Sequence, residues 1–335
     1  MDLGLGFLSG KKICVTGGTG SFGRAFVEFI TLNSEVSKIV ILSRDEIKQW
    51  EMGFDYSDDD RVQFVIGDVR DLQSVKKAVR GCDFVVHAAA TKIVPIAETN
   101  PRECIRTNVD GALNVIDACY DEGVSSVVAL STDKASSPAN LYGASKLVSD
   151  KLFVAADTSG AHEGTRFCVA RYGNVMGSRG SVIPFFLECK QKGSIPITDP
   201  MMSRFMITMD QAIEVVVMAL KNCVGGEIFV RKIPSMTVAE IAEAIVPDIP
   251  QKIIGKRPGE KMHEQMIGVE DSSHTLEFES HFVILPHHND DERRQIYLSR
   301  GGKVVPEDFI YVSNTNNEGM SKEKLRQFCE EQGWL

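Results

Sequence analysis

The sequence predicts an α/β protein: a doubly wound parallel sheet followed by a smaller C-terminal lobe. Three observations carry that expectation. Short β-branched runs alternate with amphipathic stretches through the first half, as parallel strands joined by crossover helices require. A glycine-rich turn follows the first of those runs. After Tyr172 the texture changes to loops rich in Gly, Ser and Pro.

In chain order, strands are expected at Lys12–Thr16, Lys38–Ser43, Val62–Ile66, Phe84–Ala88, Val127–Ser131 and Cys168–Tyr172. Helices are expected between them at Gly23–Leu32, Leu72–Arg80, Cys104–Glu122 and Leu141–Asp157. The second lobe carries expected helices at Val182–Gln191, Asp210–Lys221 and Val238–Ala244. From about Asp271 the chain reads as polar and irregular until a terminal helix near Ser321–Gln332. A length of 335 residues with 43% hydrophobic content suffices for one large α/β unit with an appended lobe.

Composition excludes several classes. A net charge of -9 argues against a general nucleic-acid or anionic-membrane surface, since both reward concentrated positive charge. No apolar run approaches the roughly 20 residues of a membrane helix, and the start lacks a secretory pattern, so a soluble, cytoplasmic protein is expected. The eight cysteines lie far apart without C-x-x-C spacing and read as reduced core thiols. No metal is expected: His263-Glu264 does not continue to a second histidine, and His287-His288 near Asp290 and Asp291 reads as a polar loop.

The first strand runs into Thr16-Gly17-Gly18-Thr19-Gly20-Ser21-Phe22-Gly23. Glycines at 17, 20 and 23 suit a tight turn, close approach to a pyrophosphate and packing of the next helix, whose N-terminus would bind the diphosphate. This is a Rossmann-type fingerprint, with Thr19, Ser21 and Phe22 completing the turn. At the end of the second strand Ser43 and Arg44 suit the 2′-phosphate of NADP, while Asp45 keeps NAD open. Asp68 and Val69 are placed to meet adenine. Ala88, Ala89 and Ala90 let backbone approach the cofactor, Lys92 stands at the carboxyl edge of the sheet, and Asn108 is placed to bridge elements or hold a water near Lys146.

Ser131-Thr132-Asp133-Lys134 precedes Tyr142-Gly143-Ala144-Ser145-Lys146. Four-residue spacing puts Tyr142 and Lys146 on one helix face, where the ammonium would lower the phenol's pKa and make Tyr142 a base. In the second lobe, Asn174 and the run Gly177-Ser178-Arg179-Gly180-Ser181-Val182 offer amide and backbone donors. Arg257 is suited to clamp phosphates, and Glu260 to accept from sugar hydroxyls.

Together these residues resemble the extended short-chain dehydrogenase/reductases, and more closely the inverting UDP-N-acetylglucosamine 4,6-dehydratases of pseudaminic acid and related glycan pathways. The motifs are T-G-G-T-G-S-F-G from Thr16, S-R-D-E from Ser43, S-T-D-K-A from Ser131, L-Y-G-A-S-K from Leu141, R-Y-G-N-V from Arg171, G-S-R-G-S-V from Gly177, R-P-G-E-K from Arg257 and L-E-F-E from Leu276. Ile93 and Met206 depart from the family pattern and are expected to alter the lining of the sugar pocket.

The resemblance implies NADP bound to residues 1–178, with a later contribution from about 206–230, and a mainly substrate-binding lobe over 179–335. It implies UDP-N-acetylglucosamine as substrate, Arg204 among its contacts, and a homo-oligomer, hexamer or dimer. Tyr142 with Lys146 would oxidise carbon 4, Thr132 would hold the 4-oxygen, Asp133 would protonate the departing 6-hydroxyl, and Lys134 or a neighbouring base would act at carbon 5. Related retaining dehydratases carry Asp-Glu where this chain has Asp133-Lys134, so the amine points to inversion. A UDP-sugar 4-epimerase, a retaining dehydratase and an idle NADP-binding regulator remain as alternatives.

Overall fold

A computed structural model describes residues 3–158, 164–178, 180–287 and 290–335. In the first half the order is β1 (Lys12–Thr16), α1 (Ser21–Asn33), β2 (Lys38–Ser43), α2 (Glu46–Asp55), β3 (Val62–Ile66), α3 (Leu72–Val79) and β4 (Phe84–His87). There follow α4 (Val94–Thr99), α5 (Pro101–Ile105), α6 (Gly111–Asp121), β5 (Ser126–Thr132), α7 (Leu141–Thr158) and β6 (Arg166–Tyr172). The second half holds β7 (Asn174–Val175), α8 (Val182–Lys190), β8 (Ile195–Ile197), β9 (Ser203–Ile207), α9 (Met209–Asn222), β10 (Ile228–Arg231), β11 (Ser235–Thr237) and α10 (Val238–Ile245). The last elements are β12 (Gln251–Ile253), β13 (Gln265–Ile267), β14 (Thr275–Glu277), β15 (His281–Ile284), α11 (Asp290–Ser299), β16 (Lys303–Val304), β17 (Tyr311–Val312) and α12 (Lys322–Glu331).

The main sheet runs β16-β14-β15-β10-β6-β5-β4-β1-β2-β3. From β10 to β3 every pairing is parallel, and β1, paired with β2 on one side and β4 on the other, marks the point where the winding reverses. Open α/β sheets bind ligands outside the strand carboxyl ends at such a point. The central strands are buried on both faces, which is why their sequences are continuous apolar runs rather than alternating ones.

Three expectations need correction. The segment after Asp271 is not irregular: β14, β15 and β16 extend the main sheet in antiparallel pairing, and α11 follows. The single helix expected over Cys104–Glu122 is interrupted by a π-helical turn at Arg106–Asp110, between α5 and α6. A helix not expected at all, α2, follows β2. Asp45 caps it by accepting from Lys48 N, and only Gln49 and Met52 are buried, while Ile47, Trp50 and Phe54 face outward. An apolar stripe on the solvent side gives no amphipathic signal pointing at the core.

A second apolar cluster joins α8, α10 and α12 through Phe186, Ile241, Ile245, Leu325 and Cys329. Met206 belongs to this core at 1% exposure and does not line the cleft described below, whereas Ile93 does. All eight cysteines are free and buried. Among the described residues no helix is long and apolar enough to cross a membrane, and no cluster of His, Cys, Asp or Glu has the arrangement of a metal site. Arg179 and His288 lie outside the described residues.

Candidate active site

A cleft of about 1180 Å³ opens along the carboxyl edge of the sheet. Its floor is the turn between β1 and α1. Gly17 has φ +69°, and a Cβ there would stand 2.8 Å from the backbone of Ala89. A Cβ on Gly23 would stand 2.4 Å from Gly18 Cα. The glycines are therefore demanded by close backbone approach. Gly20, the residue before α1, supplies no side-chain cap to the first-turn N–H groups, and Gly20 to Gly23 line the cleft. This cradle fits a diphosphate. Thr19, Ser21, Phe22, Ser43, Arg44, Asp45, Val69 and Ala88 to Ala90 also line the cleft.

Around the expected ribose site, Thr19 Oγ1 and Ser43 Oγ are 2.7 Å apart. Asp45 is engaged by α2: it caps Lys48 N and pairs with Lys48 Nζ at 2.8 Å, and that hydrogen bond holds its carboxyl below the usual carboxylate range. Arg44 is more than half exposed, 3.6 Å from Asp68. Asp68 sits behind the lining. Burial works to raise its pKa, but Arg70 and Arg44 together hold it below the usual range. Asn108 also stays off the wall. From the π-helical turn it donates to Thr91 O and Ser145 Oγ and accepts from Thr91 N, so it ties the β4 edge to α7 rather than reaching a ligand.

The helix α7, which carries Tyr142 and Lys146, begins at Leu141. Gly143 is required because a Cβ would stand 2.3 Å from Lys134 O. This contact presses α7 against the turn that carries Asp133 and Lys134. Tyr142 and Lys146 face the cleft, both nearly buried. The expectation that Lys146 lowers Tyr142 is not met. Burial pushes the phenol up to about 12; the largest opposing influences are the Lys134 ammonium and a hydrogen bond with Thr132. Burial also lowers Lys146, opposed by Asp150 one turn further along. Asp150 is held by Ser131 Oγ at 2.6 Å and by the buried Arg171 at 3.1 Å.

Sequence reasoning missed His87, at the end of β4. Its Nδ1 is 2.8 Å from Thr16 Oγ1, and burial with Lys146 nearby pushes its pKa down to about 3, so the ring is neutral.

Asp133 is fully buried behind the wall formed by Thr132 and Lys134. Its Oδ1 accepts from Thr132 Oγ1 at 2.9 Å and from Lys134 Nζ at 3.0 Å; Oδ2 has no hydrogen-bond partner among the described residues. Lys134 Nζ also donates to Asn174 Oδ1 at 3.2 Å and lies 3.5 Å from Glu264 Oε1. Burial works against its charge, but Asp133 and Glu264 outweigh burial and raise it above lysine's usual range. The residue expected to act as a base is thus an ammonium in the free protein.

Residues beyond Tyr172 line the rest of the cleft. Gly259, at φ +76°, lets its loop dock on Asn140, which donates to Gly259 O at 2.9 Å. Arg257 and Glu260 flank that glycine, 3.6 Å apart, and Glu260 Oε2 has no hydrogen-bond partner among the described residues. Ser181, the residue before α8, likewise presents a buried Oγ without a partner among the described residues, next to Val182. Arg204 lines the cleft with its guanidinium held by Ser203 O and lying 3.7 Å from Glu264. Lys92 is exposed at the mouth.

A family model described as polysaccharide biosynthesis protein matches residues 13–286. The chain is 48% identical, over 95% of its length and 96% of the relative's, to a Campylobacter jejuni (strain 81-176) protein named UDP-N-acetylglucosamine 4,6-dehydratase (inverting). It is 40% identical, over 95% of its length and 94% of the relative's, to a Rickettsia canadensis protein named UDP-glucose 4-epimerase. Among solved structures, Pen from Bacillus thuringiensis superposes with a TM-score of 0.89 at 34% identity, covering 98% of this chain and 99% of that one.

Proposed function

The chain belongs to the polysaccharide biosynthesis protein family and, from that premise, we propose that it is a UDP-N-acetylglucosamine 4,6-dehydratase that inverts carbon 5. The observation that carries this reading is the Asp133-Lys134 pair beside Tyr142, held in one hydrogen-bonded cluster with Thr132 and Asn174. A 4-epimerase needs Tyr142 and Lys146 but has no use for that pair. The relative named a dehydratase is also the more similar of the two compared, at 48% against 40%.

A nicotinamide cofactor bound in the glycine cradle supplies the acceptor and donor for a hydride taken from carbon 4 and returned to carbon 6. NADP is favoured over NAD because Asp45 is occupied with Lys48 while Arg44 and Ser43 remain at the cleft edge. Tyr142 takes the proton of the 4-hydroxyl, and Thr132 holds the 4-oxygen. The 4-ketone acidifies carbon 5; once the Lys134 ammonium has given a proton to its hydrogen-bond partner Asp133, the neutral amine takes the carbon-5 proton. Asp133 protonates the departing 6-hydroxyl; its Oδ2 is the oxygen left for that proton, because Oδ1 already accepts twice. Reprotonation of carbon 5 from the opposite face gives the inverted 4-keto-6-deoxy product, suited to the opening of pseudaminic acid or related glycan synthesis.

Arg257 clamps phosphate, and Ser181 and Glu260, each with a buried oxygen lacking a protein partner, bind sugar or nucleotide polar groups. The working form is a cytoplasmic homo-oligomer. Exposed Ile105, Leu113 and Val148, on α5, α6 and α7, support an interface there.

Incubation with UDP-N-acetylglucosamine, followed by NMR, is expected to show the inverted 4-keto-6-deoxy sugar; unchanged sugar or only its 4-epimer would refute the reading. Asp133→Asn is expected to retain oxidation at carbon 4 and lose elimination.

A further inference from the structure

Glu264 belongs to no completed motif, its histidine neighbour lacking the second histidine of a zinc site, yet it is 3% exposed and stands among the cleft's charged residues. Its backbone is fixed by Ser313, whose N–H donates to Glu264 O at 2.8 Å and whose Oγ accepts from Glu264 N at 2.9 Å. The carboxylate therefore has a set position, with Oε1 3.5 Å from Lys134 Nζ and 3.7 Å from Arg204 Nε. Oε2 is buried without a hydrogen-bond partner among the described residues. A carboxylate retained only to fasten the fold would be expected to satisfy both oxygens, because an unmade hydrogen bond on a buried charge is costly.

We propose that Glu264 is a positioning residue for the chemistry at carbon 5: it clamps Lys134 as an oriented ammonium and so sets the pH above which that amine serves as a base. The inference rests on the dehydratase reading. The charged and titratable groups facing Lys134 come from four directions: Asp133 on its own turn, Tyr142 from α7, Arg204 from β9, and Glu264 with Lys261 from the strand of chain entering β13. Asn174 adds a neutral acceptor. Of the two carboxylates, Asp133 is adjacent in sequence and inseparable from the turn. Glu264 is the counter-charge that a substitution removes without disturbing the turn's own hydrogen bonds. Burial alone would drive the amine toward neutrality, and the two anions reverse that.

The test uses the full chain with UDP-N-acetylglucosamine in deuterated buffer across a pH series. It reads deuterium entry at carbon 5 by NMR and, separately, the single-turnover appearance of reduced nicotinamide by absorbance. In Glu264→Gln the rise of carbon-5 exchange with pH should move to lower pH by at least about one unit, since a charge within 4 Å is gone. Nicotinamide reduction should remain measurable. A superimposable exchange profile, or both steps falling by one factor with unchanged pH dependence, would overturn the proposal. Should the glutamine variant not fold, Glu264→Asp, which draws the charge back by one methylene, should shift the profile in the same direction by less; no shift there would overturn it equally. A parent protein that shows no carbon-5 exchange overturns the dehydratase reading itself. A parent that exchanges while the variants' profiles stay put overturns only the role of Glu264.

Discussion

Replacing Gly143 with alanine sets two effects of opposite sign against each other. Alanine in a helix interior is favoured over glycine by about 1 kcal/mol, so propensity alone predicts a more stable protein. Here the added Cβ would sit 2.3 Å from Lys134 O and 3.1 Å from Pro138 Cβ. A comfortable carbon–oxygen contact is about 3.3 Å, so α7 and the Asp133–Ala135 turn must part by about 1 Å. Overpacking of that kind costs about 1–3 kcal/mol, which cancels or exceeds the propensity gain. The larger effect falls on turnover, because Tyr142 rides on α7 while Thr132 and Lys134 ride on the strand and turn it withdraws from. A misplacement of about 1 Å between reacting groups costs on the order of 100-fold. Gly53→Ala in α2 is the control, since its Cβ would meet only Phe64 Cε2 at 3.9 Å. That variant should gain about 0.5–1 kcal/mol with turnover intact. Thermal unfolding and product formation measured on both variants decide the matter. A Gly143→Ala protein that melts higher than the parent and turns over normally would refute the steric account.

Two further outcomes follow from the cleft's electrostatics. His87 has a folded-state pKa of about 3 against about 6.5 unfolded, so below pH 6.5 the unfolded chain binds the extra proton; stability is undiminished above pH 6.5 and falls as pH drops toward 3. At pH 5 the loss from this group is roughly 2 kcal/mol, and urea unfolding at pH 7.5 and 5.0 should show a smaller pH effect in His87→Asn than in the parent; equal differences would remove His87 as the cause. Arg44→Ala should weaken NADPH binding by about 10- to 100-fold, the worth of one or two charge-assisted hydrogen bonds, and leave NADH nearly unchanged. Parallel losses for both nucleotides, measured by fluorescence titration, would argue against a 2′-phosphate contact.

The parallel half of the sheet was legible because its strands are buried on both faces and punctuated by glycines whose positions are sterically forced. The Tyr142–Lys146 spacing and the Asp133-Lys134 pair were legible for a similar reason, being fixed within one helix or one turn. What stayed hidden depends on distance in sequence. Glu264 reaches Lys134 across 130 residues of chain, and its local context, His263-Glu264, read only as a failed zinc motif. The β14–β16 extension is three short strands of two to four residues in polar surroundings, too brief for periodicity to register. Asp45 read as a candidate ribose ligand because the helix it caps buries only two side chains and so gave no signal of its own.

The same cluster imposes an order on the proposed cycle. In the free protein neither base is ready: Tyr142 stands at about 12, and Lys134 is held charged by Asp133 and Glu264. The two are coupled, because the Lys134 ammonium is the foremost influence lowering Tyr142. Neutralising Lys134 first would raise the phenol further and slow oxidation at carbon 4. Tyr142 must therefore take the 4-hydroxyl proton while Lys134 is still charged. Once that proton has moved, Tyr142 no longer needs the cation, and the ketone has made carbon 5 acidic enough to call on the amine. Oxidation before elimination is then a consequence of where the charges sit, in addition to the chemistry of the sugar. Weakening the clamp on Lys134 should blur that order, because an amine neutral too early leaves the phenol without the cation that lowers it most.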